Sequence, residues 1–205
     1  LATGEFTALL DHDDELPEHA LYHLTEEIHT CPDADLIYSD EDMIDSQGRR
    51  FDPKFKPDWS PDLFYSLNML THMIVYRTEL LRRLGGFRVG FEGSQDYDLA
   101  LRAIEQIPPT RIRHISRILY HWRSIPGSVA YGAEQKDYAH ERARQAIREH
   151  LQRQGIQAEV TEAPGNLHRV RYSLPTPAPT VSLMVLASRQ IDQLRSMIED
   201  VLAHT

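Results

Sequence analysis

Residues 5–30 read EFTALLDHDDELPEHALYHLTEEIHT, and the order of apolar, acidic and helix-like text in them decides the fold class. Phe6–Leu10 is a short apolar run of the kind that forms a buried parallel strand, although periodicity alone does not separate it from a helix. The run ends on Asp11, Asp13, Asp14 and Glu15, with only His12 between the first two. Carboxylates packed this closely repel one another and raise each other's pKa unless a cation sits among them. Beyond them, Pro17 suits a first helical turn, and Leu21, Leu24 and Ile28 recur at helical spacing. Strand, acidic loop and helix in that order are the unit of a layered α/β domain.

The same alternation continues down the chain. In ADLIYSDEDMID, residues 34–45, Leu36–Tyr38 read as a second strand ending on Asp40, Glu41 and Asp42. RRFDPKFKPDWSPDLFYSLN, residues 49–68, has three prolines and little periodicity, which predicts an ordered loop with short helical turns. A strand at Met73–Tyr76 leads into a helix capped by Thr78 and stopped by Gly85 and Gly86. Ser94 is the expected N-cap of the next helix, whose stripe is Leu99, Ala103, Ile104 and Ile107. RIRHISRILYHWR, residues 111–123, is strand-like again. An amphipathic helix over residues 133–155 precedes a hairpin around Pro164–Asn166. PTPAPT, Pro175–Thr180, is a stiff linker, and a buried-type strand from Val181 and a final helix follow it.

Composition narrows the class of partner. The 205 residues are 41% hydrophobic and 26% charged, with no apolar run long enough to cross a bilayer. Leu1–Leu10 has neither the basic region nor the cleavage site of a signal peptide. A net charge of -9 argues against nucleic acid, whose phosphates need clustered lysine and arginine. It leaves room for a diphosphate held through a divalent cation. The single Cys31 excludes an internal disulfide and fits a reducing compartment. The first residue is not methionine and a strand begins almost at once, as expected of a piece of something longer.

Three groups of residues carry chemistry. In an extended segment Asp11 and Asp13 would share a face, at the strand end where open α/β sheets bind ligands, and could hold a hard divalent cation. A solvated acidic loop is the competing reading. Asp96, in a first helical turn, stays ionised in the positive end of the helix dipole and could serve as a general base, or simply stabilise the helix start. Arg123 could offer a fork to a phosphate and Trp122 a flat surface to a sugar or base; a buried tryptophan beside a surface ion pair is the alternative. Trp59 could likewise support a sugar or sit in the core. The eleven histidines show no ligand spacing.

Four stretches, GEFTALLDHDDELPEHAL, ADLIYSDEDMID, LRRLGGFRVGFEGSQDYDLALR and LYHWRSIPGSVA, follow one another between Gly4 and Ala130. In that order they resemble the inverting family 2 glycosyltransferases of the GT-A fold, especially bacterial enzymes of O-antigen and related polysaccharide assembly. The resemblance implies an α/β fold, a partial GT-A (Rossmann-like) mixed sheet flanked by helices, followed by a C-terminal helix, a hairpin and an extra strand-helix unit. It implies the C-terminal portion of one such domain over 1–132, a connector helix and hairpin over 133–174 and a Pro-rich linker over 175–180. The start of a second GT-A-like domain would occupy 181–205. The strand from Val181 to Ala187 should then dock beside the sheet or pair with another copy of the chain, since an unpaired edge is adhesive.

In that family the D-x-D carboxylates hold a Mg2+ or Mn2+ that bridges the diphosphate of a nucleotide-sugar donor. The resemblance therefore puts Asp13 on the metal and Asp11 near the ribose or the metal. The family's E-D pair supplies the base; here it reads Gln95-Asp96, which loses the first acid and keeps Asp96. Gly85-Gly86-Phe87 is similar to the acceptor-side loop, and PDWSPDLFYSLN, with Trp59, to the variable acceptor segment. Aligning Pro126-Gly127-Ser128 on the family's Y-R-x-H-x-x-S pattern puts Trp122-Arg123 on the Y-R pair as donor-binding residues. Ile125 then falls on the histidine, with His121 as a nearby substitute.

The activity implied is inverting transfer of a sugar from a nucleotide-sugar to a saccharide or lipid-linked acceptor in surface polysaccharide synthesis, in the cytoplasm or at the inner face of the membrane. Two alternatives stay open. A metal-dependent phosphohydrolase could build a two-metal site from Asp11, Asp13, Asp40 and Asp42. An inactive fragment could bind only sugar or a partner chain.

Overall fold

The computed structural model describes residues 2–124, 136–186 and 191–204. They fall into two compact units, Leu1–Ser173 and Leu174–Thr205. The first unit runs β1 (Phe6–Leu9), α1 (Ala20–Thr30), β2 (Leu36–Ile44), β3 (Arg50–Lys54), α2 (Pro61–Ser66), β4 (Ile74–Arg77), α3 (Thr78–Leu84) and α4 (Gln95–Ile104). It continues through β5 (Ile112–Arg123), α5 (Lys136–Arg153), β6 (Ala158–Ala163) and β7 (Leu167–Tyr172). The second holds α6 (Ile191–His204).

β2 is the spine of a five-stranded mixed sheet. Along one edge Leu36–Tyr38 pair antiparallel with β4 and Glu41–Ile44 antiparallel with β3; along the other edge β2 runs parallel to β5. β4 pairs on its far side with β1, again antiparallel. Successive side chains of a strand point to opposite faces. Leu36, Tyr38, Ile74 and Tyr76 accordingly face one core with Phe64, Leu99, Leu101 and Ile147, while Ile37, Met73 and Val75 face another with Ala20 and Leu24 of α1. Burial on both faces explains why Leu36–Tyr38 of β2 and Ile74–Tyr76 of β4 read as unbroken apolar runs. β6 and β7 form a separate hairpin within the same unit, and Val160 joins the first core beside Ala143, Ala146 and Leu151 of α5.

Several expectations are corrected. β1 is antiparallel and reaches only Leu9, because its one partner among the described residues is β4, which runs against it. β2 does not stop at Tyr38: it runs six residues further, so Asp40, Glu41 and Asp42 lie inside the strand and are buried. The register shifts between Ser39 and Asp42, and such bulges re-aim side chains. Residues 49–68 hold a strand as well as a short helix, since pairing with β2 overrides the low strand propensity of a Pro-rich edge. Val181–Leu186 form no strand and belong to no ladder among the described residues, and their large side chains are exposed. A lone strand has too few contacts to hold itself. Ala187 lies outside the described residues, as do Ile125, Pro126–Ser128 and the 132/133 boundary.

Ser94 occupies the N-cap position of α4, but its hydroxyl donates to the Ala139 carbonyl of α5 (2.7 Å) rather than capping its own helix. Beside it Gly93 has φ +88°, and a Cβ there would come within 3.0 Å of the Tyr138 ring and 3.1 Å of Ala139 Cβ. Both the backbone and the helix contact therefore demand glycine. Gly93→Ala should cost about 1–3 kcal/mol, measured as a lower urea midpoint.

Candidate active site

The antiparallel register of β1 on β4 pairs Leu9 with Ile74. Continued two residues past the strand ends, it sets Asp11 opposite His72. The two side chains meet there, with Asp11 Oδ2 3.7 Å from His72 Nε2. Asp11 does not continue the strand in extended form. Asp11–Asp14 close a turn in which the Asp14 N–H donates to the Asp11 carbonyl (3.3 Å), so Asp11 and Asp13 are not presented on one extended face. Ligand atoms of Asp11, Asp14 and His72 come within 4.8 Å of one another, the group among the described residues able to hold an ion. Asp13 is outside that group; its Oδ1 lies 3.7 Å from Nδ1 of the exposed His12.

β5 fixes the turn from below. The Tyr120 hydroxyl donates to Asp14 Oδ2 (2.5 Å) and accepts from the Asp11 N–H (3.2 Å), and the Arg123 N–H donates to Asp14 Oδ1 (2.8 Å). Burial raises the Asp14 pKa, and these hydrogen bonds oppose the rise. Arg123 Nε donates to the Asp13 carbonyl (2.6 Å) and its guanidinium pairs with Glu15. Reciprocal backbone bonds between Glu15 and His121 complete the stitch. Arg123 is thus engaged with the acidic turn. His121 points to the other side of β5, where Nδ1 pairs with Asp42.

His72 is held by a buried ion pair. Its backbone N–H donates to Glu41, and the Lys56 ammonium donates to Glu41 Oε2 (3.1 Å) and to the carbonyls of Thr71 (2.7 Å) and His72 (2.8 Å). Although burial opposes it, the hydrogen bonds from His72 and the charge of Lys56 bring Glu41 down to about 2. Burial lowers the Lys56 pKa, with Glu41 opposing. The His72 ring stacks on Tyr120 (4.8 Å between centroids) and lies 5.7 Å from Trp122.

Asp96 sits in the first turn of α4 and faces a cavity of about 360 Å³, shared with Asn68, Thr71, Trp122, Asn166 and His168. Burial raises its pKa, while His72 and the N–H groups at the helix start oppose the rise and Asp11 adds to it. The cavity is lined by Thr71, the residue before His72, and by Trp122, whose ring lies 5.7 Å from that of His72. Asn68 Nδ2 donates to Asp96 Oδ2 (2.9 Å).

The remaining sequence candidates lie elsewhere. Trp59 packs on the core, 5.2 Å from Phe64. Gly86 ends α3, its carbonyl accepting from Arg102 (2.6 Å), and Phe87 beyond it is exposed; neither lines the Asp96 cavity. Gln95 Oε1 accepts from the Gly93 N–H within its own loop (2.6 Å). Asp40 and Asp42 are spent inside the fold on His114 (2.9 Å) and on Arg50 (2.6 Å) with His121, away from the turn. Sequence reasoning passed over His72, Asn68, Tyr120 and Lys56. The first could have been found by pairing β1 against β4.

No family model matches the chain. It is 41% identical over 208 residues to the uncharacterized protein y4gI of Sinorhizobium fredii (strain NBRC 101917 / NGR234), an alignment covering 100% of the chain and 23% of that protein. To the O-antigen biosynthesis protein RfbC of Myxococcus xanthus it is 40% identical over 202 residues, 98% of the chain and 16% of that protein. The chain thus spans less than a quarter of the length of these curated relatives. Among solved structures it is similar to S. aureus TarS 1–349 in complex with UDP-GlcNAc, with a TM-score of 0.51, 21% identity, and coverage of 73% of this chain and 43% of that one. The mixed sheet flanked by helices is therefore similar in fold to TarS. Among the described residues no helix is long and apolar enough to cross a membrane.

Proposed function

We propose that the Leu1–Ser173 unit is part of an inverting glycosyltransferase of the GT-A, family 2 type. It moves a sugar from a nucleotide-sugar to a saccharide or lipid-linked acceptor in surface polysaccharide assembly. The observation that carries this is a half-buried carboxylate, Asp96, at a helix start, facing a cavity whose Trp122 adjoins His72 of the Asp11–Asp14–His72 group. The name of the RfbC relative and the sugar-nucleotide bound to TarS point the same way.

In this reading Asp96 accepts the proton of an acceptor hydroxyl as its oxygen bonds to the anomeric carbon, and the bond from that carbon to the diphosphate breaks. Asn68 orients Asp96 by holding one oxygen. Asp11, His72 and the free lone pairs of Asp14 hold a divalent ion, and Asp13 is the next carboxylate on the same turn to meet the donor. An ion held there would supply positive charge opposite the departing nucleoside diphosphate. Two carboxylates with an imidazole suit Mn2+ better than Mg2+, which prefers oxygen ligands. Trp122 stacks on a sugar or base.

Calorimetry of the full-length protein with UDP and Mn2+ tests the reading. Binding should require the metal, vanish in EDTA, and weaken about tenfold or more in Asp11→Asn and in His72→Ala. Nucleotide binding indifferent to EDTA would refute the ion site, release of phosphate from UDP would favour the phosphohydrolase, and no binding at all would favour an inert fragment.

A further inference from the structure

The cavity over Asp96 has a wall that belongs to neither the sheet nor α4. Ala139, His140 and Ala143 of α5 and Asn166 and His168 of the hairpin form it. The hairpin tip turns through Gly165 (φ +79°) and Asn166 (φ +61°). This sets His168 and Val170 on the inward face of β7, where His168 is only 5% exposed.

His168 has a polar capacity that the fold leaves unused. Its ring stacks at 6.3 Å on Tyr97, the residue after Asp96, and meets His140 edge-on at 5.9 Å. Its Nδ1 is buried without a hydrogen-bond partner. Buried polar atoms are satisfied in the great majority of native proteins, so an orphan beside a cavity marks a place where a ligand or an ordered water completes the set. Burial, reinforced by His140 and Arg144, holds the ring's pKa down to about 4, so at neutral pH the imidazole is uncharged, with one donor and one acceptor nitrogen.

We propose that His168 reads a hydroxyl of the acceptor sugar, and that the hairpin is the wall that selects which saccharide is presented to Asp96. The inference rests on reading this cavity as the acceptor site. The ligand class is a neutral pyranose. No lysine or arginine lines the cavity among the described residues, and Asp96 disfavours an anionic sugar. Hydroxyls both donate and accept, which suits a neutral imidazole and the Asn166 amide, while Trp122 offers a ring face to the sugar's apolar side.

The test uses the full-length protein loaded with UDP and Mn2+, and a panel of neutral methyl pyranosides of gluco, galacto, manno and rhamno configuration, followed by calorimetry and saturation-transfer NMR. At least one glycoside should bind. His168→Gln should weaken it about tenfold and change the ranking of the panel, the size expected for one hydrogen bond. His168→Phe keeps the ring stacking on Tyr97 and should weaken it at least as far, with UDP affinity unchanged in both variants. Unchanged glycoside affinity and ranking in a folded His168→Gln or His168→Phe would overturn the proposal, an ordered water alone then meeting Nδ1. Glycoside silence in the wild type with UDP binding intact would also overturn it while leaving the transferase reading standing. His168-dependent glycoside binding without nucleotide binding would support the saccharide site and count against the transferase.

Discussion

An Asp96→Asn variant of the full-length protein is expected to lose sugar transfer by about 10²–10⁴-fold, the range general-base catalysis commonly supplies. Its metal-dependent binding of UDP should be unchanged. The substitution is nearly isosteric, and the Asn68 amide, which donates to Asp96 Oδ2, still finds an acceptor in the new carboxamide. What disappears is the lone pair able to take a proton. An interaction made only in the transition state lowers kcat and kcat/KM together, so a rise in KM with kcat intact would show that Asp96 merely binds the acceptor. The control is Asn68→Ala, which leaves the carboxylate present but unheld. It should slow transfer less than Asp96→Asn does, because proximity is loosened while the base remains.

Lys56→Met is expected to destabilise the protein by about 3–5 kcal/mol in urea denaturation, the cost of leaving a buried charge without its partner. Glu41 is the charge left behind, with the more exposed Lys54 ammonium, 3.4 Å from Oε1, as its remaining lysine partner. Its pKa falls from 4.5 to about 2 on folding, a gap that corresponds to about 3 kcal/mol. The folded value is the lower one, so this contribution is fully present above pH 4.5 and is lost as the pH falls from there toward 2. Lys56→Met should therefore flatten the acid limb of the stability profile as well as lower its plateau. Adding Glu41→Gln removes the stranded charge and should recover most of the loss, whereas additive single costs would show that the two side chains do not act as a pair. Because Lys56 also holds the carbonyls of Thr71 and His72, the single variant should weaken Mn2+-dependent nucleotide binding.

Elements whose pattern is local were legible in the sequence. α1, α3, α4, α5 and the 164–166 hairpin follow from helical spacing, Gly85 and Gly165, and they stand within a few residues of where the periodicity puts them. What escaped was set by pairing. Nothing in SDED announces that residues 39–42 stay in β2 and go inward, because strongly charged text reads as a loop until His114, Lys56 and His121 are known to meet it. The candidate site divides the same way. Asp96 owes its place to its own helix start and Trp122 to alternation along β5. His72 lies 61 residues from Asp11 in sequence and joins it only through the β1–β4 register. Arg123 reads as a fork for a phosphate or as one half of a surface ion pair; its ion-pair partner Glu15, and the Asp13 carbonyl it also engages, lie more than a hundred residues earlier and are not legible locally.

That last contact has a bearing on biosynthesis. The acidic turn leaves the ribosome before the groups that shape it, the Tyr120 hydroxyl and the backbone and guanidinium of Arg123, which arrive about 110 residues later. Contacts of such long span form late, since the loop they close must first be ordered. During translation the carboxylates of Asp11 and Asp14 therefore remain unshaped until β5 is laid against β2.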